Sequence, residues 1–86
     1  TREEKKTIFN RFSLPKVLKK IGLLKDECTI TEEGLDAVLD IFKDTTGIRD
    51  LEQAAEHLAA HALYLIEVEH VKSVTYDADM VRELFA

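Results

Sequence analysis

Most apolar positions in this chain recur three and four residues apart, the spacing that lines one face of a helix. Over residues 3–12, Ile8, Phe9 and Phe12 share such a face, and Glu3 and Glu4 suit a positive helix start. A second helix is predicted to follow at once, with Ser13 as N-cap and Pro15 in the first turn, where its missing N–H costs little. Leu14, Val17, Leu18 and Ile21 form its stripe. Gly22 is placed to take a positive φ, with Leu23 folding back on Leu18 in a Schellman ending. Thr31 with Glu32 and Glu33 predicts the start of a third helix, buried through Leu35, Val38, Leu39 and Phe42 and ended by Gly47. Asp50 is expected to open the longest helix, with Gln53 reaching back in a capping box. Its stripe is Leu51, Ala55, Leu58, Ala62 and Leu65, and its alanines would let another helix approach closely. Asp77 is predicted to cap a last helix with Met80, Val81, Leu84 and Phe85 inward.

Two segments break the helical period. Glu27 to Ile30 and Lys72 to Tyr76 are short and rich in β-branched or aromatic residues, so each reads as a strand. The predicted order is α-α-β-α-α-β-α. Two strands cannot stand alone, so they should pair and rest on the helices. A helix pair separates them, which makes a parallel pairing the simplest one. The expected class is α+β, mostly α, with four to five helices and a small two-stranded parallel sheet. The chain is expected to be a single domain, residues 1–86, without repeat or linker.

Composition narrows the class. With 86 residues, 45% of them apolar and 34% charged, this is a small globular chain whose core is thin. No stretch approaches the roughly 18 apolar residues of a membrane span. Three glycines and one proline exclude collagen-like or low-complexity sequence, and one cysteine cannot form an internal disulfide. The chain begins at Thr1 without Met or a signal-like apolar run, which predicts a piece of a longer polypeptide. Residues 1–25 carry eight basic and two acidic side chains, a net +6. The other 61 carry four basic and fifteen acidic, a net -11. This split suggests either a surface for nucleic acid or an acidic partner, or else solvated faces of ordinary helices or half of an interface whose other half lies elsewhere, and the latter pair is expected. No aromatic–Arg interleaving supports nucleic acid.

Few catalytic patterns are present. The glycines are isolated, so no phosphate loop occurs. Ser73 beside Lys72 would point to opposite faces of a strand and could not form a dyad. His57 and His61 stand four apart on one helix face, but Leu58 occupies the place where a zinc metalloprotease needs Glu. They are read as boundary histidines, and no metal site is expected. Cys28 is expected to be a small buried strand residue. Phe9, Phe12, Phe42 and Phe85 are expected to build the core rather than line a ligand pocket.

The informative run is Gly47-Ile48-Arg49-Asp50-Leu51-Glu52. A glycine turn delivers an arginine just before a helix N-terminus, where unpaired N–H groups and the dipole favour anions instead. A cation there suggests that a phosphate or carboxylate arrives from outside, which suits the guanidinium fork. The alternative is an ion pair between Arg49 and an acid of the same domain.

This run resembles the G-[VI]-R-x-L-E segment of the small helical "lid" subdomain in the AAA+ module of Lon-type ATP-dependent proteases. Leu14-Pro15-Lys16 ahead of Gly22-Leu23 resembles the family's L-P-K and G-L. Cys28-Thr29-Ile30-Thr31 with Leu35 resembles its L-T-[VI] strand entering a helix, and Lys72 to Tyr76 its closing strand. The resemblance covers residues 8 to about 85. It implies a lid-type bundle with a two-stranded parallel sheet, placed after a nucleotide-binding α/β subdomain and before a proteolytic domain. Arg49 then matches the sensor-2 arginine that reaches ATP phosphates, with Gly47 and Ile48 as its supporting turn. The parent would be a cytoplasmic, homo-hexameric, ATP-dependent serine protease acting on proteins. ATP with Mg would be held mainly outside this chain, which carries no catalytic residue of its own. Its partners would be that α/β subdomain and neighbouring subunits.

Three departures from the family pattern stand out. Gln53 takes the place of an Arg, and Ala59, Ala60 and His61 stand where Arg or Lys is usual. Phe42-Lys43-Asp44-Thr45-Thr46 replaces Y-T-R-E-A. Alternative readings are the lid of another AAA+ unfoldase or motor, ClpX- or RuvB-like, and a stand-alone helical interaction module.

Overall fold

The computed structural model describes residues 2–42 and 48–86. The chain enters through α1 (Arg2–Ile8), a π-helical turn (Phe9–Ser13) and α2 (Leu14–Ile21). A 3-10 turn (Lys25–Glu27) leads to β1 (Cys28–Ile30), followed by α3 (Glu32–Ile41) and α4 (Ile48–Glu67). β2 (Val74–Tyr76) and α5 (Ala78–Leu84) close it. The class is α+β, mostly α, as the periodicity indicated. β1 and β2 pair in parallel, with Cys28 opposite Val74, Thr29 opposite Thr75 and Ile30 opposite Tyr76.

The first two predicted helices do not break at Ser13. Its backbone is helical, at φ -64 and ψ -53, and its side chain makes no cap bond. The cause is Pro15. In a regular helix its ring would press on the carbonyl four residues back and leave that carbonyl without a donor. The chain widens by one residue instead, and the Leu14 N–H bonds to the Phe9 carbonyl, five residues back. This shift changes which side chains face inward. Phe9 is buried, whereas Phe12, expected on the same face, is 65% exposed.

The other ends follow local rules. Gly22 has φ 88, the Leu23 N–H bonds to Leu18 O at 2.8 Å and the Gly22 N–H to Lys19 O at 3.3 Å, which completes the Schellman ending. The Thr31 hydroxyl accepts the Gly34 N–H at 3.0 Å, and the Asp77 carboxylate accepts the Met80 N–H at 2.9 Å. The opening of α4 differs from expectation. The helix already includes Ile48, so Asp50 lies within its first turn and is not its cap. An acid there is favoured by the dipole. The predicted stop at Gly47 lies outside the described residues.

The core forms where α4 crosses α2 and the π-turn. Leu51, Ala54, Ala55, Leu58, Ala59 and Ala62 are all buried, and the alanines supply the close approach. Val38, Tyr76 and Val81 close the other side, where α5 packs on α3. Each large side chain sealed this way contributes roughly 1.5–3 kcal/mol of transfer free energy.

Part of the charge split is neutralised inside the fold. Lys6, only 8% exposed, reaches Asp36 at 2.7 Å, Glu32 at 3.2 Å and Glu3 at 3.3 Å. Arg2 meets Asp40 at 2.8 Å and Asp36 at 3.2 Å. These pairs tie α1 to α3. Hydrogen bonding to Asp36 raises the Lys6 pKa, and in return Lys6, with Arg2 beside it, lowers that of Asp36. Lys16 pairs with Glu52 at 3.4 Å, linking α2 to the start of α4.

Candidate functional site

Arg49 projects from the first turn of α4. It is exposed, while Leu51, two residues on, is 1% exposed and fixes that turn in the core. The Lys16–Glu52 pair pins the same turn to α2. Among the described residues no ion pair engages Arg49, so the intradomain pairing considered from the sequence does not form there. A guanidinium at this place works against the helix dipole. Gly47 lies outside the described residues, and Ile48 is described only as the first helical residue of α4.

The remaining sequence candidates have structural roles. His61 is half-buried, with Nδ1 2.8 Å from the Tyr76 hydroxyl. That hydroxyl donates its one proton to the Leu58 carbonyl at 3.2 Å, so it accepts from the Nδ1–H of His61. His57 is exposed and packs on the Phe85 ring at 5.1 Å between centroids. No group of three metal-ligating side chains occurs among the described residues. Cys28 is 1% exposed, and burial pushes its thiol pKa up to about 11, the reverse of a reactive cysteine. Phe42 and Phe85 meet edge to face at 5.6 Å. Ser73 and Lys72 are exposed residues ahead of β2, which is shorter than expected.

Sequence reasoning missed two features. One is the burial of Lys6 among carboxylates, for which the spacing of α1 and α3 along the chain offers no signal. The other is a groove of about 660 Å³ between the π-turn and β1, bordered by Arg11, Phe12, Pro15, Lys25 and Ile30. Its signal was present in the proline two residues beyond Ser13.

No helix among the described residues is long and apolar enough to cross a membrane. No protein-family model matches the chain, and no solved structure matches it. Curated relatives do. Lon protease 1 of Syntrophotalea carbinolica is 37% identical over 60 residues, 70% of this chain and 7% of that protein. Lon protease 2 of Sorangium cellulosum is 36% identical over 75 residues, 86% of this chain and 9% of that protein. Lon protease 2 of Myxococcus xanthus is 30% identical over 84 residues, 98% of this chain and 10% of that protein. By sequence the chain is thus a relative of the Lon proteases, matching a segment that makes up 7–10% of their length.

Proposed function

We propose that this chain is the lid subdomain of the ATPase module of a Lon-like ATP-dependent serine protease, with Arg49 as its sensor-2 residue. The observation that carries this reading is the placement of Arg49. It is exposed, has no ion-pair partner among the described residues, and stands on a helical turn anchored by buried Leu51. An anion brought from outside would complete it. The kinship with Lon proteases makes a nucleotide phosphate the natural candidate.

The chain's residues fit that partner. A guanidinium is permanently charged and can contact two phosphate oxygens at once. ATP with Mg, held mainly by an adjoining α/β subdomain, supplies phosphoryl transfer, a reaction governed by positioning and charge stabilisation. Arg49 would stabilise charge on the terminal phosphate. Because α4 is packed along α2 and the π-turn, movement of its first turn would carry the whole bundle. That rigidity is what a lid needs to pass nucleotide state to protein unfolding and proteolysis in a homo-hexameric, cytoplasmic parent. Gly47 and Ile48 would shape the turn before Arg49.

The test has two arms. The isolated chain should show no saturable ATP binding by titration, since one arginine is not a nucleotide site. In the full-length parent, Arg49→Ala should lower ATPase turnover with folding unchanged. Micromolar ATP affinity in the isolated chain would contradict a lid that contributes a single contact.

A further inference from the structure

Arg49 shares its helix face with the residues three and four positions on, Glu52 and Gln53. Gln53 is uncharged, so Glu52 is the carboxylate that α4 itself sets beside the guanidinium. Asp50, one residue on, does not face Arg49. Helical side chains lean toward the N-terminal end, so Glu52 lies over the turn that carries Arg49. An Arg–Glu pair at this spacing would be ordinary, yet Arg49 has no ion pair among the described residues. The Glu52 carboxylate is engaged elsewhere. Its Oε1 lies 3.4 Å from Nζ of Lys16, in the first turn of α2. The Lys16 side chain is 71% exposed, so the core does not depend on it.

We propose that Lys16 is a positioning residue for Arg49: it holds the Glu52 carboxylate toward α2 and so leaves the guanidinium free for a phosphate brought from outside. The inference rests on the reading of Arg49 as a phosphate contact. Without Lys16, Glu52 is free to turn to Arg49. An exposed pair of opposite charges three residues apart favours the paired form by roughly twofold. An incoming phosphate must then displace a carboxylate, and its apparent affinity falls by the fraction of Arg49 still free. Loss of Lys16 should therefore weaken the phosphate contact by about two- to threefold. Lys16 acts in this way only through Glu52. A lysine that met the phosphate itself, or that merely fastened α2 to α4, would not depend on the carboxylate being there to restrain.

The test has one arm on the chain and one on the full-length parent. In the isotope-labelled 86-residue chain, the Arg49 Nε–H signal is identified by its loss in Arg49→Lys. Lys16→Met should shift that signal, and Lys16→Arg should leave it in place. In a Glu52→Gln background, Lys16→Met should shift it no further. In the parent, ATPase turnover below saturating ATP should fall about two- to threefold in Lys16→Met with an unchanged melt. Lys16→Arg should keep the turnover, and Lys16→Met should have no further effect in the Glu52→Gln background. An unmoved Arg49 signal in Lys16→Met would overturn the proposal. So would a Lys16→Met loss of turnover that persists in the Glu52→Gln background, because Lys16 would then act on its own. Full turnover in Lys16→Met, where Arg49→Ala lowers it, would overturn the proposal and leave the Arg49 assignment standing. Full turnover in Arg49→Ala would overturn that assignment and this inference with it.

Discussion

The Tyr76 hydroxyl receives a hydrogen bond from His61 Nδ1 at 2.8 Å and passes its own proton to the Leu58 carbonyl. One residue from β2 is thereby joined to two successive turns of α4. His61, read from the sequence as a boundary histidine, has one ring nitrogen committed to this bond. Removing the hydroxyl with Tyr76→Phe should cost about 1 kcal/mol while leaving the ring in the core. A urea melt with an unchanged slope and a lower midpoint would show this.

Burial raises the pKa values of both Tyr76 and Cys28 above those of the unfolded chain. The folded thiol ionises only at about 11, the unfolded one near 9.0. For a group raised in the folded state, the stabilisation is complete below the unfolded pKa and is lost as pH rises toward the folded one. Stability should therefore fall above pH of about 9, less steeply in Cys28→Ala. At pH 8 a thiol reagent should modify Cys28 only at the rate of unfolding.

Asp36 shows the opposite sign. Lys6, and Arg2 after it, lower its pKa from the ordinary 3.8. The resulting stabilisation is present above that value and fades as pH falls through the folded pKa. Asp36→Asn should lower the melting temperature at pH 7, and this difference should shrink toward zero in strong acid. A difference that persists unchanged at about pH 2 would mean that packing, not charge, joins α1 to α3.

Gly34 illustrates a helix position where propensity gives the wrong sign. A methyl group there would lie 2.5 Å from the Tyr76 carbonyl oxygen and 2.8 Å from Ile30 Cγ1. That carbonyl accepts the Thr31 N–H, so it cannot retreat freely. Alanine gains up to about 1 kcal/mol over glycine in a free helix. Overpacking costs roughly 1–3 kcal/mol, so Gly34→Ala should destabilise the fold on balance. Thermal melts of the pair decide the sign.

Much of this architecture was legible along the chain because its signals are local. Thr31, Asp77 and Gly22 end or begin helices by bonds made within a few residues. The parallel pairing followed from the length of the intervening helices. The π-turn was missed because Ser13 before Leu14-Pro15 satisfies the rule for a capped start equally well. What decides between them is the burial of Phe9 and Ser13 against α4, a tertiary term. The start of α4 was misplaced for a related reason: an Asp50 cap would make Leu51 the first helical residue, whereas Ile48 is already helical. Asp50 serves a helix equally well as a cap or as a first-turn acid. At the candidate site, the residue type and its place beside a helix start were readable. The absence of an ion-pair partner for Arg49 among the described residues required the positions of α2 and α3.

The central claim is that Arg49 supplies a phosphate contact from a rigid lid. The most direct measurement is ATPase turnover of the full-length parent carrying Arg49→Ala, with the melting temperature measured alongside. The account predicts a fall of about 10- to 100-fold in turnover, with an unchanged melt, because the side chain is exposed and supports no core contact. Wild-type turnover in a folded Arg49→Ala parent would contradict it.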